Sequence, residues 1–285
     1  MSKKLKEYII QSLYHIILSI LGLTFILPLL WLFLSSLKTN LEVISRPPVW
    51  IPKNPQWENF IEVFKKVPYG RYYLNSLIVC SSITIFVIIT SVMAGFVLAK
   101  YKFKFRTPIF LLIVSTLMLP FFLFAVPDYY LFYNIKIGEG NLLGTLWALI
   151  IPFVVSPWGI FLMRQFILTI PNELLDSARI DGANELRILF QIIFPLTLPA
   201  IVTVAIVTFI SQWNYLFWPL IVSTSFPKLM TIPVGMRMLS MAFDPARNQQ
   251  LIFAGLFIGT IPSTLLFLFL QKYYVKGMKI TGLKE

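Results

Sequence analysis

Residues 171–195 read PNELLDSARIDGANELRILFQIIFP and set Glu173, Asp176, Asp181 and Glu185 beside Arg179 and Arg187. Carboxylates do acid–base chemistry when a nucleophile, a second titratable group or a metal stands against them. The sequence offers no such companion. Its single cysteine, Cys80, and its single histidine, His15, each lie inside an apolar run. One cysteine builds neither a disulfide framework nor a cysteine-based metal site, and one histidine builds no His-rich metal or proton site. Cys80 reads as a small packing residue and His15 as a packed or interfacial side chain. The sequence contains no G-x-x-x-x-G-K-[ST] segment, so ATP is not expected to bind this chain. No catalytic residue, metal site or cofactor of its own is expected.

The charge pattern of the loop suits docking better than catalysis. Pro171 fits a first helical turn, where its missing N–H is not needed, and Glu173 in that turn complements the helix dipole. At 100° per residue, Leu174, Leu175 and Ala178 share one face, while Glu173, Asp176 and Ser177 share the opposite side. Asp181-Gly182 then breaks the helix: glycine tolerates the positive φ of a turn, and Asp181 can cap the next helix. That second helix is expected from Ala183, with Ala183, Leu186, Leu189, Phe190 and Ile193 on one face. Pro195 and Pro199 lead into the next apolar run. A lipid-binding interfacial helix would be rich in Lys and Arg on its polar face. Mixed charge fits a protein partner, with a solvated loop as the plain alternative.

A second constellation offers neutral chemistry. Ser211, Gln212, Trp213, Asn214, Tyr215 and Trp218 cluster in one apolar run, and Asn75 stands in another. Hydroxyl and amide groups beside aromatic faces suit a polyol, which takes hydrogen bonds and CH stacking without a fixed charge. The same residue types anchor helices at membrane interfaces and glue them together. Both readings stand for each residue. Gly255 and Gly259, four apart, suit close helix packing.

The elements that must position these residues are membrane helices. Apolar residues make up 58% of the 285 and charged residues 13%, and the mean hydropathy is +0.80. A soluble domain does not tolerate that composition. A bilayer core of about 30 Å needs roughly 20 apolar residues per helix, and continuous runs such as SLIVCSSITIFVIITSVMAGFVLA exclude the alternation of a barrel strand. The expected architecture is all-α, a polytopic membrane protein with six transmembrane helices at about 14–37, 74–99, 108–125, 142–163, 196–223 and 251–271. The N-terminal run is too long for a cleaved signal and reads as a retained anchor.

Six spans put both termini on one side. That side carries Lys3, Lys4, Lys6, Lys100, Lys102, Lys104, Arg106, Arg164, Arg179, Arg187, Lys272, Lys276, Lys279 and Lys284, more than half of the 24 Lys and Arg. Short basic clusters near helix ends set orientation, so both termini are expected in the cytoplasm of a multi-pass cell-membrane protein. The expected organisation is a cytoplasmic N-terminus (1–13), a six-helix transmembrane domain (14–271) and a cytoplasmic tail (272–285). Within the domain lie an outer loop (38–73), a cytoplasmic loop (164–195) and a second outer loop (224–250). The net charge of +12 lies in loops flanking apolar runs and shows no basic stripe with interleaved aromatics, so nucleic acid is not an expected partner. Lipid is. The Pro-rich RPPVWIPKNPQWENF of the first outer loop favours an extended path, and both outer loops suit an external partner or plain connection.

The loop resembles the EAA signature of ABC importer permeases, in which E-A-A is followed after three positions by Gly and after nine more by I-x-L-P. Here the positions are Asp176-Ser177-Ala178, Gly182 and Ile192-Ile193-Phe194-Pro195. The departures keep charge, small size and bulk. Over nearly the whole chain, NSLIV from Asn75, AGFVLAKYKFKF from Ala94, FLMRQF from Phe161, IPNELLDSARIDGA from Ile170, WNYLFWPLIV from Trp213, TIPVG from Thr231 and FLQKYYVKGM from Phe269 are similar to maltose-type carbohydrate uptake permeases, in particular the shorter member of the permease pair.

That resemblance implies the importer permease fold, with the loop as a coupling helix in a groove of a cytoplasmic ATPase. Glu173, Asp176, Ser177, Ala178, Arg179, Asp181, Gly182 and Ala183 would meet or shape this contact. It also implies a second permease subunit, two ATPase subunits that hold ATP and Mg, an external solute-binding protein and a sugar substrate. The sugar would be held largely by the partner permease. Alternating access would follow from the ATPases drawing the coupling helices together. Glycerol phosphate or another polar solute is the alternative cargo. An ion-coupled secondary transporter would usually place ionisable groups in mid-span, and the expected spans hold none. A membrane enzyme lacks its clustered set, and a pure scaffold has no need of the glycine-broken loop.

Overall fold

The computed structural model describes residues 3–242 and 245–281, with side-chain surroundings for 10–241 and 248–271. Residues 1–2, 243–244 and 282–285, which belong to the expected termini and second outer loop, lie outside the described residues, as do the side chains of the lysines at both ends. Helix dominates: α1 (Lys3–Ser36), α2 (Asn40–Ile44), α3 (Glu58–Lys66), α4 (Tyr69–Lys100), α5 (Arg106–Ser115), α6 (Ala125–Asn134), α7 (Trp147–Ile150), α8 (Pro157–Leu168), α9 (Asn172–Ile180), α10 (Glu185–Ile188), α11 (Phe194–Leu196), α12 (Leu198–Trp213), α13 (Phe217–Ser225), α14 (Ile232–Ala242) and α15 (Pro245–Thr281). The sheet is one hairpin, β1 (Lys136–Ile137) against β2 (Gly140–Asn141). The chain is all-α, as its composition requires.

Among the described residues three stretches are long and apolar enough to cross a bilayer unbroken: Ile10–Ser36, Tyr69–Lys100 and Asn248–Gln271. Two more are bent pairs, Trp147–Phe153 with Pro157–Leu168 at 44° and Glu185–Leu196 with Leu198–Trp213 at 78°, and Arg106–Met118 is a shorter apolar helix. The breaks differ from the continuous spans expected. The helix expected over 108–125 stops at Met118, because Leu119 precedes Pro120 and takes the extended conformation that a following proline favours. The run expected over 142–163 opens with short 3-10 and α turns and bends before Pro157. The run expected over 196–223 breaks after Trp213, and α13 restarts at Phe217. The expected outer loops also hold helices, α2 and α3 in the first and α14 in the second.

The chain divides into two compact units. The first comprises residues 1–69 and 235–261. Here Asn59 Nδ2 donates to Ser36 O at 2.9 Å and Lys38 O at 3.0 Å, pinning α3 to the end of α1. Glu42 closes a capping box with Thr39 and accepts the Lys53 N–H at 3.0 Å. Tyr69 Oη donates to Gly255 O at 2.6 Å. A Cβ at Gly255 would stand 2.8 Å from Met236 Sδ, so this glycine does allow close packing.

The second unit, 70–234 and 262–285, carries the main core and the loop. Its centre is α4 against α8. A Cβ at Gly95 would meet Met163 Cβ at 2.9 Å and the Arg164 backbone nitrogen at 3.0 Å, and one at Gly159 would collide with Ser91 Oγ. Ser91 and Gly95 lie four apart on α4, as Gly159 and Met163 do on α8, so small residues let the two backbones approach. Around this contact are packed Val92, Phe96, Ile167, Ile188, Ile193, Ala200, Ile201 and Val204. Phe110 stacks on Phe161 at 6.2 Å and 15°, bringing α5 against α8. Cys80 is buried, as a packing residue should be, whereas His15 is exposed on α1.

Gly95→Ala should lower the melting temperature of the detergent-solubilised protein, since overpacking of this kind costs about 1–3 kcal/mol. Gly22→Ala, where a Cβ meets nothing within 4 Å, should leave it unchanged or raise it. Equal melting of the two variants would contradict a tight α4–α8 contact.

Candidate functional site

The helix, turn and helix of residues 171–195 form as the residues dictate, with two shifts of boundary. Pro171 stands just outside α9 as its N-cap, and Glu173 lies in the first turn. The helix ends at Asp181 in a Schellman motif: Gly182 N–H donates to Arg179 O at 3.0 Å and Ala183 N–H to Ala178 O at 2.9 Å. Gly182 has φ +81°, and a Cβ there would meet nothing within 4 Å. Backbone conformation alone requires the glycine. The next helix is capped by Asn184 rather than Asp181: Asn184 Oδ1 accepts the Arg187 N–H at 2.8 Å, and α10 starts at Glu185, not Ala183.

The buried face also differs from the one that 100° periodicity predicts. Leu175 is buried and Ala178 half-buried, but Leu174 is exposed. On the second helix Ile188, Leu189 and Ile193 are buried while Leu186 and Phe190 are exposed. Residues Leu189–Ile193 form a π-helix, whose i→i+5 pairing widens the turn and rotates the following side chains out of α-helical phase. The loop therefore turns outward a set of apolar side chains that helical periodicity assigns inward, together with Ile180 at 87% exposure.

An ion-pair network and a brace hold the loop. Arg179 Nε donates to Glu185 Oε1 at 2.9 Å across the Gly182 turn, and Arg179 NH1 donates to Asp176 Oδ1 at 2.8 Å within α9. Tyr101 Oη donates to the other oxygen of Glu185. The hydrogen bond to Glu185, ahead of that to Asp176, lifts the Arg179 guanidinium above its ordinary value. Burial, and next the bond and charge of Glu185, push the Tyr101 phenol up. Lys100 Nζ donates to Ile170 O and, at 3.0 Å, to Asn172 Oδ1. Arg164 Nε donates to Leu98 O at 3.2 Å, with its guanidinium 4.0 Å from the Phe110 ring centre. The end of α4 thus grips both helices of the loop. Nothing local in the sequence marks Lys100 and Tyr101 for this role, because their partners lie 70 or more residues away.

Of the loop residues named from sequence, Glu173, Asp176, Ser177, Arg179, Asp181 and Gly182 are exposed, and Ala178 and Ala183 pack partly against the core. Ser177 Oγ is turned back onto Glu173 O at 2.8 Å. Asp176 is committed to Arg179. Ala178, Asp181, Ala183, Arg187, Gln191 and Ile192 wall a concavity of about 200 Å³.

The neutral constellation separates into two groups. Trp218 is fully buried, and its Nε1 donates to Ala148 O at 2.8 Å. Asn75 Nδ2 donates to Lys228 O and Met230 O, both at 2.9 Å. Trp213 is buried, stacked on Phe209 and edge-on to Tyr73. Asn214 bonds back to Ile210 O at 2.8 Å, and Tyr215 lies edge-on to Phe153. The contacts of these five are with neighbouring rings and backbone carbonyls. Ser211 and Gln212 instead face a cavity between α4, α8 and α12. Among the described residues no three His, Cys, Asp or Glu side chains group to hold a metal.

Residues 87–280 match the family of binding-protein-dependent transport system inner membrane components, and the chain belongs to that family. It is a multi-pass inner-membrane transport subunit. It is 33% identical to the arabinooligosaccharides transport system permease protein AraQ of Bacillus subtilis, across 96% of this chain and 97% of that one. It is 31% identical to the sn-glycerol-3-phosphate transport system permease protein UgpE of Yersinia pestis, across 93% and 94%. A chain in the crystal structure of a bacterial ABC transporter for import of the acidic polysaccharide alginate shares the fold, with a TM-score of 0.78 at 21% identity over 96% of this chain and 99% of that one.

Arg179→Ala should free Asp176, leave Glu185 held by Tyr101 alone, and raise hydrogen exchange across 176–187 while leaving α8 protected. Each pair is partly exposed and worth only about 0–1 kcal/mol, so the loop should loosen without unfolding of the core. Unchanged exchange in the loop would remove the network from the brace.

Proposed function

We propose that this chain forms half of the transmembrane pathway of an ATP-driven importer for a sugar or oligosaccharide, with loop 164–195 receiving the force from a cytoplasmic ATPase. A second permease subunit, two ATPases that carry ATP and Mg, and an external solute-binding protein complete the assembly. Both termini and the loop lie on the cytoplasmic side in this reading, which rests on the basic clusters of the short loops. The observation that carries the coupling role is the loop itself: a Gly182 turn, outward Ile180 and Glu173, and a grip from Lys100 and Tyr101 at the end of a long apolar helix. Rigid attachment is what lets a docked helix move the spans. The concavity beside Asp181 suits a side chain from the ATPase. AraQ relatives support a saccharide. UgpE relatives make sn-glycerol 3-phosphate the second reading.

Gly182→Val should leave the subunit inserted and assembled but sever uptake from ATP hydrolysis, because a β-branched residue is an outlier at positive φ, where left-handed geometry costs about 1–2 kcal/mol. Gly182→Asn should retain most uptake, since the site has room for a side chain and demands only a positive φ, which asparagine tolerates. Full uptake by the valine variant would remove the loop from coupling. Glu173→Lys, at an exposed carboxylate, should reduce co-purification with the ATPase, and the loss should lessen with rising salt as the screened charges weaken. Wild-type recovery of the ATPase would move the contact elsewhere.

A further inference from the structure

The cavity that Ser211 and Gln212 face has a volume of about 320 Å³, at the low end of the roughly 300–1,000 Å³ of small-ligand pockets. Thr208, Ser211 and Gln212 stand at i, i+3 and i+4 on α12, so they project from one face. Opposite them Ser156 and Trp158 flank Pro157, where the chain bends by 44°. The bend uncoils residues 154–156, and the Ser156 hydroxyl caps α8 by accepting the Gly159 N–H at 3.1 Å, which leaves its own proton free to donate. The side chains of Thr208, Ser211 and Gln212 have no hydrogen-bond partner among the described residues. An apolar bundle that keeps an amide and two hydroxyls unpaired toward one space keeps them for water or a ligand.

The remaining lining is valine, proline and phenylalanine, with no charged side chain. An anion would enter without a counter-charge and lose its hydration. A neutral sugar ring matches instead, with hydroxyls for the amide and hydroxyl groups and an apolar face for the Trp158 ring. We infer that this cavity is a subsite, on this subunit itself, for one ring of an uncharged saccharide. The inference rests on the sugar-importer reading and adds that the chain selects for neutrality.

The test uses the complete transporter, with partner permease, ATPase and binding protein, in proteoliposomes. The probes are a panel of neutral oligosaccharides of arabinose, glucose, galactose and xylose units, against sn-glycerol 3-phosphate. Loss of one neutral hydrogen bond corresponds to about a threefold to tenfold change in affinity. Gln212→Leu, Thr208→Val and Trp158→Leu, scored where they co-purify with the other subunits in wild-type amounts, should each raise the half-saturating concentration of the transported oligosaccharide by about that factor. Ser211→Cys gives a readout independent of transport. Its labelling by a methanethiosulfonate reagent, followed as a mass shift of this chain, should be slowed by the transported oligosaccharide and not by sn-glycerol 3-phosphate. The native Cys80 is buried and stays unlabelled. Neutral uptake that is unaltered in all three variants, with Ser211→Cys unprotected, overturns the subsite and leaves the sugar importer standing. A wild-type transporter that moves sn-glycerol 3-phosphate and none of the neutral panel overturns the sugar reading and the subsite together.

Discussion

A surface helix only three turns long transmits motion only when its base is fixed to the helices that must move. Several contacts of the second unit would supply that attachment. Lys100 and Tyr101, at the end of α4, hold α9 through Ile170 and Asn172 and α10 through Glu185. Leu175, Ile188 and Ile193 sink into the same core. The polar grips are partly exposed and individually weak, so the apolar anchors carry the energy and the ion pairs set the angle between the two loop helices.

The brace would be idle if α4 could slide against α8. Gly95 and Gly159 prevent that by bringing two backbones within reach of each other, where even a methyl group would collide. Close backbone contact is the usual means of fixing membrane helices, because lipid supplies no hydrophobic drive between them. The core that holds this contact also holds α12 through Ala200, Ile201 and Val204, and α12 carries the polar face on the cavity. One packed body thus joins the loop, the crossing of α4 with α8 and the neutral pocket. On the coupling role proposed for the loop, its movement would reach the pocket without a separate relay.

The parts legible in sequence are those written in local chemistry. Asp181-Gly182 after an amphipathic stretch announces a turn at positive φ, and continuous apolar runs announce membrane helices. The parts that escaped are those that depend on distant residues or on phase. Tyr101 and Glu185 lie 84 residues apart, and nothing local to either marks the bond. Leu186 and Phe190 point outward although 3.6-residue periodicity places them inward, and the π turn at 189–193 takes the residues after it out of that period. Asn75 and Trp218 carry the residue types of a sugar site, but here their polar atoms are used on backbone carbonyls. Residue type proposes a hydrogen bond; only the fold decides whether a backbone group has already taken it.

Rigid transmission from loop to span is the central claim. It is measured most directly with spin labels at Ile180→Cys on the loop and Phe161→Cys on α8, both at exposed positions, in the assembled transporter. The labels' separation is recorded by pulsed electron resonance without nucleotide and with ATP bound but not hydrolysed. The account predicts one narrow distance distribution that is the same in both states, because loop and helix move as a body. A distribution that shifts or broadens on ATP binding would show the loop moving independently of α8 and would contradict it.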